Sequence, residues 1–221
     1  MPNSTDTTDA AANGIYPSQA LRRLAELTRE IRAAKPIEEG QYQPASLDLR
    51  LGPVAYRVRA SFLPGKHATV RERLDELTMH EMDISRGAVL ERGCVYIVPL
   101  LESLALSPGN SAMGNPKSSI GRLDVFTRLI TDHGTEFDRV RAGYQGPLYA
   151  EVSPRTFSVL VREGTRLSQL RVRHGEPTTT DEKHRELQRE HELVGSISLE
   201  DIRDGVPVSV DVAGESSGGI I

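Results

Sequence analysis

The chain has 221 residues, 38% of them hydrophobic, and a formal net charge of −4, which suits one domain with extensions and a real core and offers no global basic field for nucleic acid. A single cysteine, Cys94, excludes an intrachain disulfide framework and a Cys-x-x-Cys metal knuckle. No apolar run approaches the ~20 residues that span a bilayer, and the polar start has no signal-peptide core, so a cytoplasmic protein with neither membrane nor nucleic-acid partner is expected.

Residues 1–14 are rich in Ser, Thr, Asp and Ala and are expected to form a mobile tail. Leu21, Leu24, Leu27 and Ile31 then recur at helical spacing, which predicts an amphipathic helix over 17–34 with Ser18 as its cap and Pro36 beyond its end. Leu47, Leu49 and Leu51 alternate with Asp48 and Arg50 as in a strand with a polar outer face. Gly52-Pro53 turns the chain into a second strand over 54–60. A short helix is expected over 70–77, and a strand begins at 82–84. The apolar runs 89–90, 94–101 and 104–106, separated by Gly, Arg and Pro, have the texture of a compact β-barrel or sandwich. Cys94 lies beside Val95 and Ile97 and is expected to be a buried, inert thiol.

Gly114-Asn115-Pro116 stops the preceding strand, and Lys117, Ser118, Ser119 and Arg122 follow at a helix start, where free N–H groups and positive charge make a phosphate seat. Ser118 and Arg122 are four apart and share a helical face. Capping serines and solvated cations are the competing reading. Residues 123–130 carry the chain to Thr131-Asp132-His133-Gly134, and Gly143-Tyr144-Gln145-Gly146 turns tightly into the next strand. There Leu148, Ala150 and Val152 share one face, Tyr149 and Glu151 the other, so Glu151 is either a base facing a pocket or the wet side of a sheet. Strands are expected at 158–161 and 170–173 with Gly164 at a hairpin between them, then a charged helix over 180–193. Val206, Val208, Val210 and Val212 alternate like a strand, and the terminal Ile220-Ile221 reads as the start of a further module in a longer protein.

Lys-Ser-Ser-x-Gly-Arg at 117–122, Gly-Tyr-x-Gly at 143–146, Glu151, the stretch 164–170 and the stretch Gln43 to Gly52 resemble, in order, the motifs of the dCTP deaminase and dUTPase superfamily. The resemblance runs from about residue 15 to about residue 173. It implies a mainly β, dUTPase-like distorted β-barrel (β-clip) over 15–195, with an N-terminal helix and a few short helices, and 196–221 as a linker or second module. It implies hydrolytic deamination of dCTP to dUTP and ammonia, without zinc, since the His-x-Glu and Pro-Cys-x-x-Cys set of zinc deaminases cannot be drawn from one cysteine.

By the same resemblance Glu151 shuttles the proton, assisted by Arg122 and Ser118, while Lys117, Ser118, Ser119 and Arg122 hold the phosphates of a nucleotide that arrives with Mg²⁺. Thr131 supplies a carbonyl to the attacking water. Asp138, Tyr144 and Gln169 meet the nucleoside, and Lys183 and Gln188 reach over the triphosphate. dUTP and dTTP are further ligands, and sites between subunits of a homotrimer or pseudo-trimer are implied. The chain departs from the pattern at Arg141, which stands where Asp is expected, and in the extra residues 135–140. Either Phe137-Asp138 is the displaced equivalent or half the pocket is lost. dUTP hydrolysis, alone or alongside deamination, and a non-catalytic nucleotide-binding or assembly module are the alternatives.

Overall fold

The computed structural model describes residues 13–176, 178–195 and 197–210. They divide in sequence into two compact units between Glu176 and Pro177, whereas the sequence reading draws that boundary after residue 195. Among the described residues no helix is long and apolar enough to cross a membrane.

The first unit is mainly β, as expected. It opens with β1 (Gly14–Ile15), α1 (Ser18–Glu26), β2 (Ile31–Ala33), β3 (Tyr42–Gln43), β4 (Ser46–Leu49) and β5 (Val54–Val58). It continues with α2 (Val70–Leu77), β6 (Thr78–Asp83), β7 (Ala88–Leu90), β8 (Val95–Ala105) and β9 (Asn110–Pro116). It ends with α3 (Ser118–Gly121), β10 (Val125–Thr131), β11 (Arg139–Val140), β12 (Gln145–Pro154), β13 (Val159–Val161) and β14 (Ser168–His174).

Two six-stranded sheets result. One runs β11-β9-β14-β4-β3 with β1 added on β14, the other β10-β12-β8-β5-β6 with β2 added on β8, and β13 pairs β7 in a separate ribbon. Each sheet has one long spine. β14 holds β9 along one edge while β4 and β1 share the other, and β8 holds β12 along one edge while β5 and β2 share the other.

The chain crosses between sheets at residues 50–52. Arg50 O accepts from Leu101 N at 2.9 Å, and Gly52 N donates to Pro99 O at 2.8 Å. A Cβ on Gly52 would lie 2.7 Å from Pro99 O, so only glycine permits this approach. Arg50 and Asp48, expected on a wet face, are both buried. Arg50 donates to Glu102 (Nε to Oε1, 2.8 Å) and to the carbonyls of Lys35 and Pro36, while Glu102 also accepts from Arg50 N and Gln41 Nε2. Every charge there has partners, the condition for burying an ion pair at tolerable cost.

Several elements differ from the pattern reading for identifiable reasons. α1 stops at Glu26 because Arg29 takes φ 58° and turns the chain into β2, so Ile31 reaches the core from a strand opposite Leu104. Ser18 is the first helical residue; the N-cap is Pro17, with no side-chain cap bond. Gly14 lies in β1, inside the span expected to be a tail. The runs 94–101 and 104–106 merge into β8. β6 starts at Thr78, ahead of the expected 82. Gly164 is not at a hairpin, since β13 pairs β7 while β14 pairs β9 and β4; its N–H instead donates to Leu51 O at 2.8 Å. Cys94 is half-buried, its Sγ 3.8 Å from Glu91 Oε2.

The second unit carries α4 (Asp181–His191), capped by Thr180 Oγ1 accepting from Lys183 N. Lys183 pairs with Glu186, and Gln188 is buried and bonded at both ends of its amide to Val194. Residues 206–210 form no strand. Val212, Ile220 and Ile221 lie outside the described residues, as do residues 1–12 of the expected tail.

Glu102→Ala leaves Arg50 buried without its partner and is expected to lower unfolding stability by about 3–5 kcal/mol in denaturant titration. Burial raises the Tyr149 hydroxyl from the ordinary 10.0 to about 12 and raises Tyr144 as well. The folded-state values lie above the unfolded one, so this stability is fully present below pH 10 and is lost as pH rises through about 12. Tyrosinate absorbance followed alongside unfolding checks it.

Candidate functional site

β10 and β12 pair with Arg128 directly opposite Glu151, so both side chains leave the same face of the sheet. Alternation along β12 is as expected: Leu148, Ala150 and Val152 enter core clusters, while Tyr149 packs on the other face with Ile97, Ile130 and Tyr56. Glu151 is 1% exposed. Its Oε1 accepts from Arg128 Nε at 3.0 Å and Nη2 at 2.5 Å. Its Oε2 is buried and has no partner among the described residues.

Arg128 is itself fixed. Nη2 donates to Ser61 Oγ at 2.8 Å, and the guanidinium lies 3.5 Å from the Phe137 ring centroid and 4.9 Å from that of Phe126, distances at which ring quadrupoles attract a cation. Asp138 takes φ 62°, and its Oδ1 accepts from Leu129 N at 2.7 Å. Burial raises the Asp138 carboxyl pKa above its usual value, partly offset by that backbone hydrogen bond and by the charge of Arg128. Phe137-Asp138 therefore stands beside the Arg128–Glu151 pair, and Asp138, Phe126 and Arg128 line a 260 Å³ cavity with Asp124 and Gly121.

Thr131 ends β10, buried, its carbonyl accepting from Gly134 N at 3.1 Å. A carbonyl has two lone pairs, so one acceptor site remains. The turn after it is latched to the loop before α2: Gly65 N donates to Gly134 O, His133 N to Ala68 O, and Val70 N to Asp132 Oδ1.

The second cluster surrounds α3. Lys117 is its N-cap without a side-chain cap bond, so the serines do not cap; Ser118 and Ser119 are exposed first-turn residues. Among the described residues their N–H groups meet no backbone acceptor. Lys117 Nζ donates to Asp48 Oδ2, and Asp48 Oδ1 is buried without a partner. Gln169 Oε1 accepts from Ser46 Oγ at 2.8 Å. Asp48, Lys117, Ser118, Ser119 and Gln169 line one cleft of 370 Å³. Arg122 is exposed; its N–H donates to Ser118 O at 3.1 Å, and its side chain makes no hydrogen bond or ion pair with the described residues.

Lys117, Ser118, Ser119 and Gln169 are thus brought together, as are Glu151 and Asp138 through Arg128. The two cavities share no lining residue; α3 gives Ser118 and Ser119 to one and Gly121 to the other. Tyr144 joins neither. It is buried in the core, its hydroxyl donating to Pro147 O at 2.7 Å and accepting from Asp132 N at 3.1 Å, which makes it a brace rather than a ligand contact. Lys183 and Gln188 belong to the second unit. Arg128, Ser61 and Asp48 are the residues sequence reading missed; the cross-strand register that would have exposed Arg128 is not a local signal. No group of three His, Cys, Asp or Glu among the described residues is placed to hold a metal.

A double-mutant cycle on Arg128→Ala and Glu151→Ala should give a coupling of about 1–3 kcal/mol in unfolding, because Arg128→Ala strands a buried carboxylate and the second change removes it.

The family model described as the 2'-deoxycytidine 5'-triphosphate deaminase (DCD) N-terminal domain matches residues 12–176. A dCTP deaminase of Halorubrum lacusprofundi is 30% identical over 152 residues, 68% of this chain and 71% of that protein. One of Natronomonas pharaonis is 32% identical over 143 residues, 62% of this chain and 70% of that protein. The crystal structure of 2'-deoxycytidine 5'-triphosphate deaminase from Agrobacterium tumefaciens is similar with a TM-score of 0.77 and 52% identity, covering 81% of this chain. This chain spans about half of that one, 54%. The match over 12–176 covers the described part of the first unit, and by it the chain belongs to the dCTP deaminase family.

Proposed function

We propose that this chain deaminates dCTP hydrolytically, giving dUTP and ammonia without zinc. The observation that carries this is Glu151: a carboxylate sealed from bulk water, with one oxygen pinned by Arg128 and the other without a partner among the described residues. In this reading Oε2 takes a proton from water as its oxygen bonds C4 of the cytosine, and returns a proton to the amino nitrogen as the C4–N4 bond breaks. The Thr131 carbonyl holds the water through its remaining lone pair, and Asp138 faces the nucleoside.

Lys117, Ser118, Ser119 and Arg122 hold the phosphates, which arrive as the Mg²⁺ complex, and Gln169 adds a hydrogen bond from the same cleft. Arg122 supplies positive charge where the transition state needs it. The two cavities on either side of α3 favour a site completed between protomers of a homotrimer, or between repeats of a pseudo-trimer. dUTP and dTTP share the triphosphate and so share the seat. The same separation of cavities favours, as the second reading, a module that lends a half-site without turning over.

Glu151→Gln should lower ammonia release from dCTP at least ~100-fold while leaving dCTP affinity nearly unchanged, since the base acts in the barrier. Pyrophosphate released from dUTP would point to hydrolysis instead, and binding with neither product to the half-site module.

A further inference from the structure

The outward face of the first sheet carries an unassigned concentration of guanidinium groups. Leu170 and Val172 are buried, so Arg171 and Arg173 of β14 point away from the core; Val140 is buried, so Arg139 of β11 does too. On β9, between them, Ala112 faces inward and Ser111 and Met113 outward. The register sets Arg171 and Arg139 on either side of Met113 and Arg173 beside Ser111, and Arg141 follows directly after β11. A cleft of 310 Å³ is lined by Ser111, Arg139, Arg141 and Arg173, with Pro108 and Gly109 at its wall.

The charges there are poorly matched. Arg139 pairs with Glu136 at 3.1 Å and Arg173 with Glu176 at 3.7 Å, and both carboxylates are mostly exposed. Such pairs are weak and exchange readily for a better anion. The side chains of Arg141 and Arg171 make no hydrogen bond or ion pair with the described residues, and Arg173 Nε already draws on Ser111 Oγ at 2.9 Å. Arg171 lines the cleft of the Ser118 seat, which leaves three arginines, Arg139, Arg141 and Arg173, in this cleft of a chain whose net charge is −4. The rows on β11 and β14 stand two strand spacings apart, ~10 Å, a span that fits a run of phosphates better than a single one.

We propose that this cleft binds an oligophosphate anion at Arg139, Arg141 and Arg173, separately from the seat at Ser118. The ligand is either a free oligophosphate or the tail of a nucleoside triphosphate. The test uses the whole chain carrying Ser118→Ala and Ser119→Ala, which weakens the seat, titrated calorimetrically at low salt with inorganic tripolyphosphate and, separately, with dTTP.

Saturable tripolyphosphate binding that weakens roughly tenfold on adding Arg141→Ala, and is largely kept with Arg141→Lys, is expected. dTTP binding that is tighter than tripolyphosphate and equally sensitive to Arg141 assigns the site to nucleotides; equal affinities assign it to the phosphate chain itself. Absence of saturable binding in the serine-deficient host, or indifference to Arg141→Ala, overturns the proposal. So does a change of assembly mass on sedimentation of the Arg141→Ala protein, which would make this face a contact between copies. Arg141 is exposed and unpaired with described residues, so its loss does not threaten folding, and deamination is not the readout.

Discussion

A carboxylate withdrawn from water must find a cation or give up its charge. Glu151 finds Arg128, and the local architecture of the first unit serves that meeting. The pair exists because β10 and β12 run antiparallel in one register, seven residues deep, from Val125 against Pro154 to Thr131 against Leu148. A slip of one position would carry Glu151 into the apolar cluster that Ala150 and Val152 occupy. Arg128 is further confined by two aromatic rings and Ser61, so its fork spends both contacts on one carboxylate oxygen and leaves the other unengaged. The buried orphan atom is the kind of unmet demand that chemistry can use.

The two sheets are held in fixed relation by features that touch no ligand. Gly52 lets the chain pass against Pro99, and Arg50 with Glu102 fastens the crossing strand to β8. At Gly114 a Cβ would lie 2.6 Å from Leu129 Cβ, the residue next to Arg128. β9 can approach β10 there because that side chain is missing. The same β9 runs on into Lys117 and α3, so the spacing that seats Arg128 also locates Ser118 and Ser119. Asp48, buried and bonded to Lys117, ties this corner to β4.

Elements with a strong local period were readable from the residues alone. Val70 to Leu77 is a helix with those bounds because Thr69 and Glu72 form a reciprocal cap and Val70 and Leu74 face the core. The alternation at 148–152 likewise announced which way Glu151 points. What local pattern cannot encode is partnership. Ile31 has helical spacing from Leu27, yet reaches the core through a strand, because a positive φ at Arg29 and pairing with Leu104 outweigh the period. Asp48 and Arg50 look like a wet strand face until Lys117 and Glu102, 69 and 52 positions away, neutralise them. Tyr144 sits in a motif associated with ligand binding, yet its ring fills the core and its hydroxyl bridges two backbone groups. For the same reason Arg128, the cation paired with Glu151, went unseen.

The pairing of Gly14 with His174 and of Ile15 with Arg173 joins the two ends of the first unit. A chain growing from the ribosome thus completes this sheet last, after β9 and β4 have waited with open edges for β14 to emerge between them. Loop closure over so long a separation is slow, and open edges invite pairing with strangers.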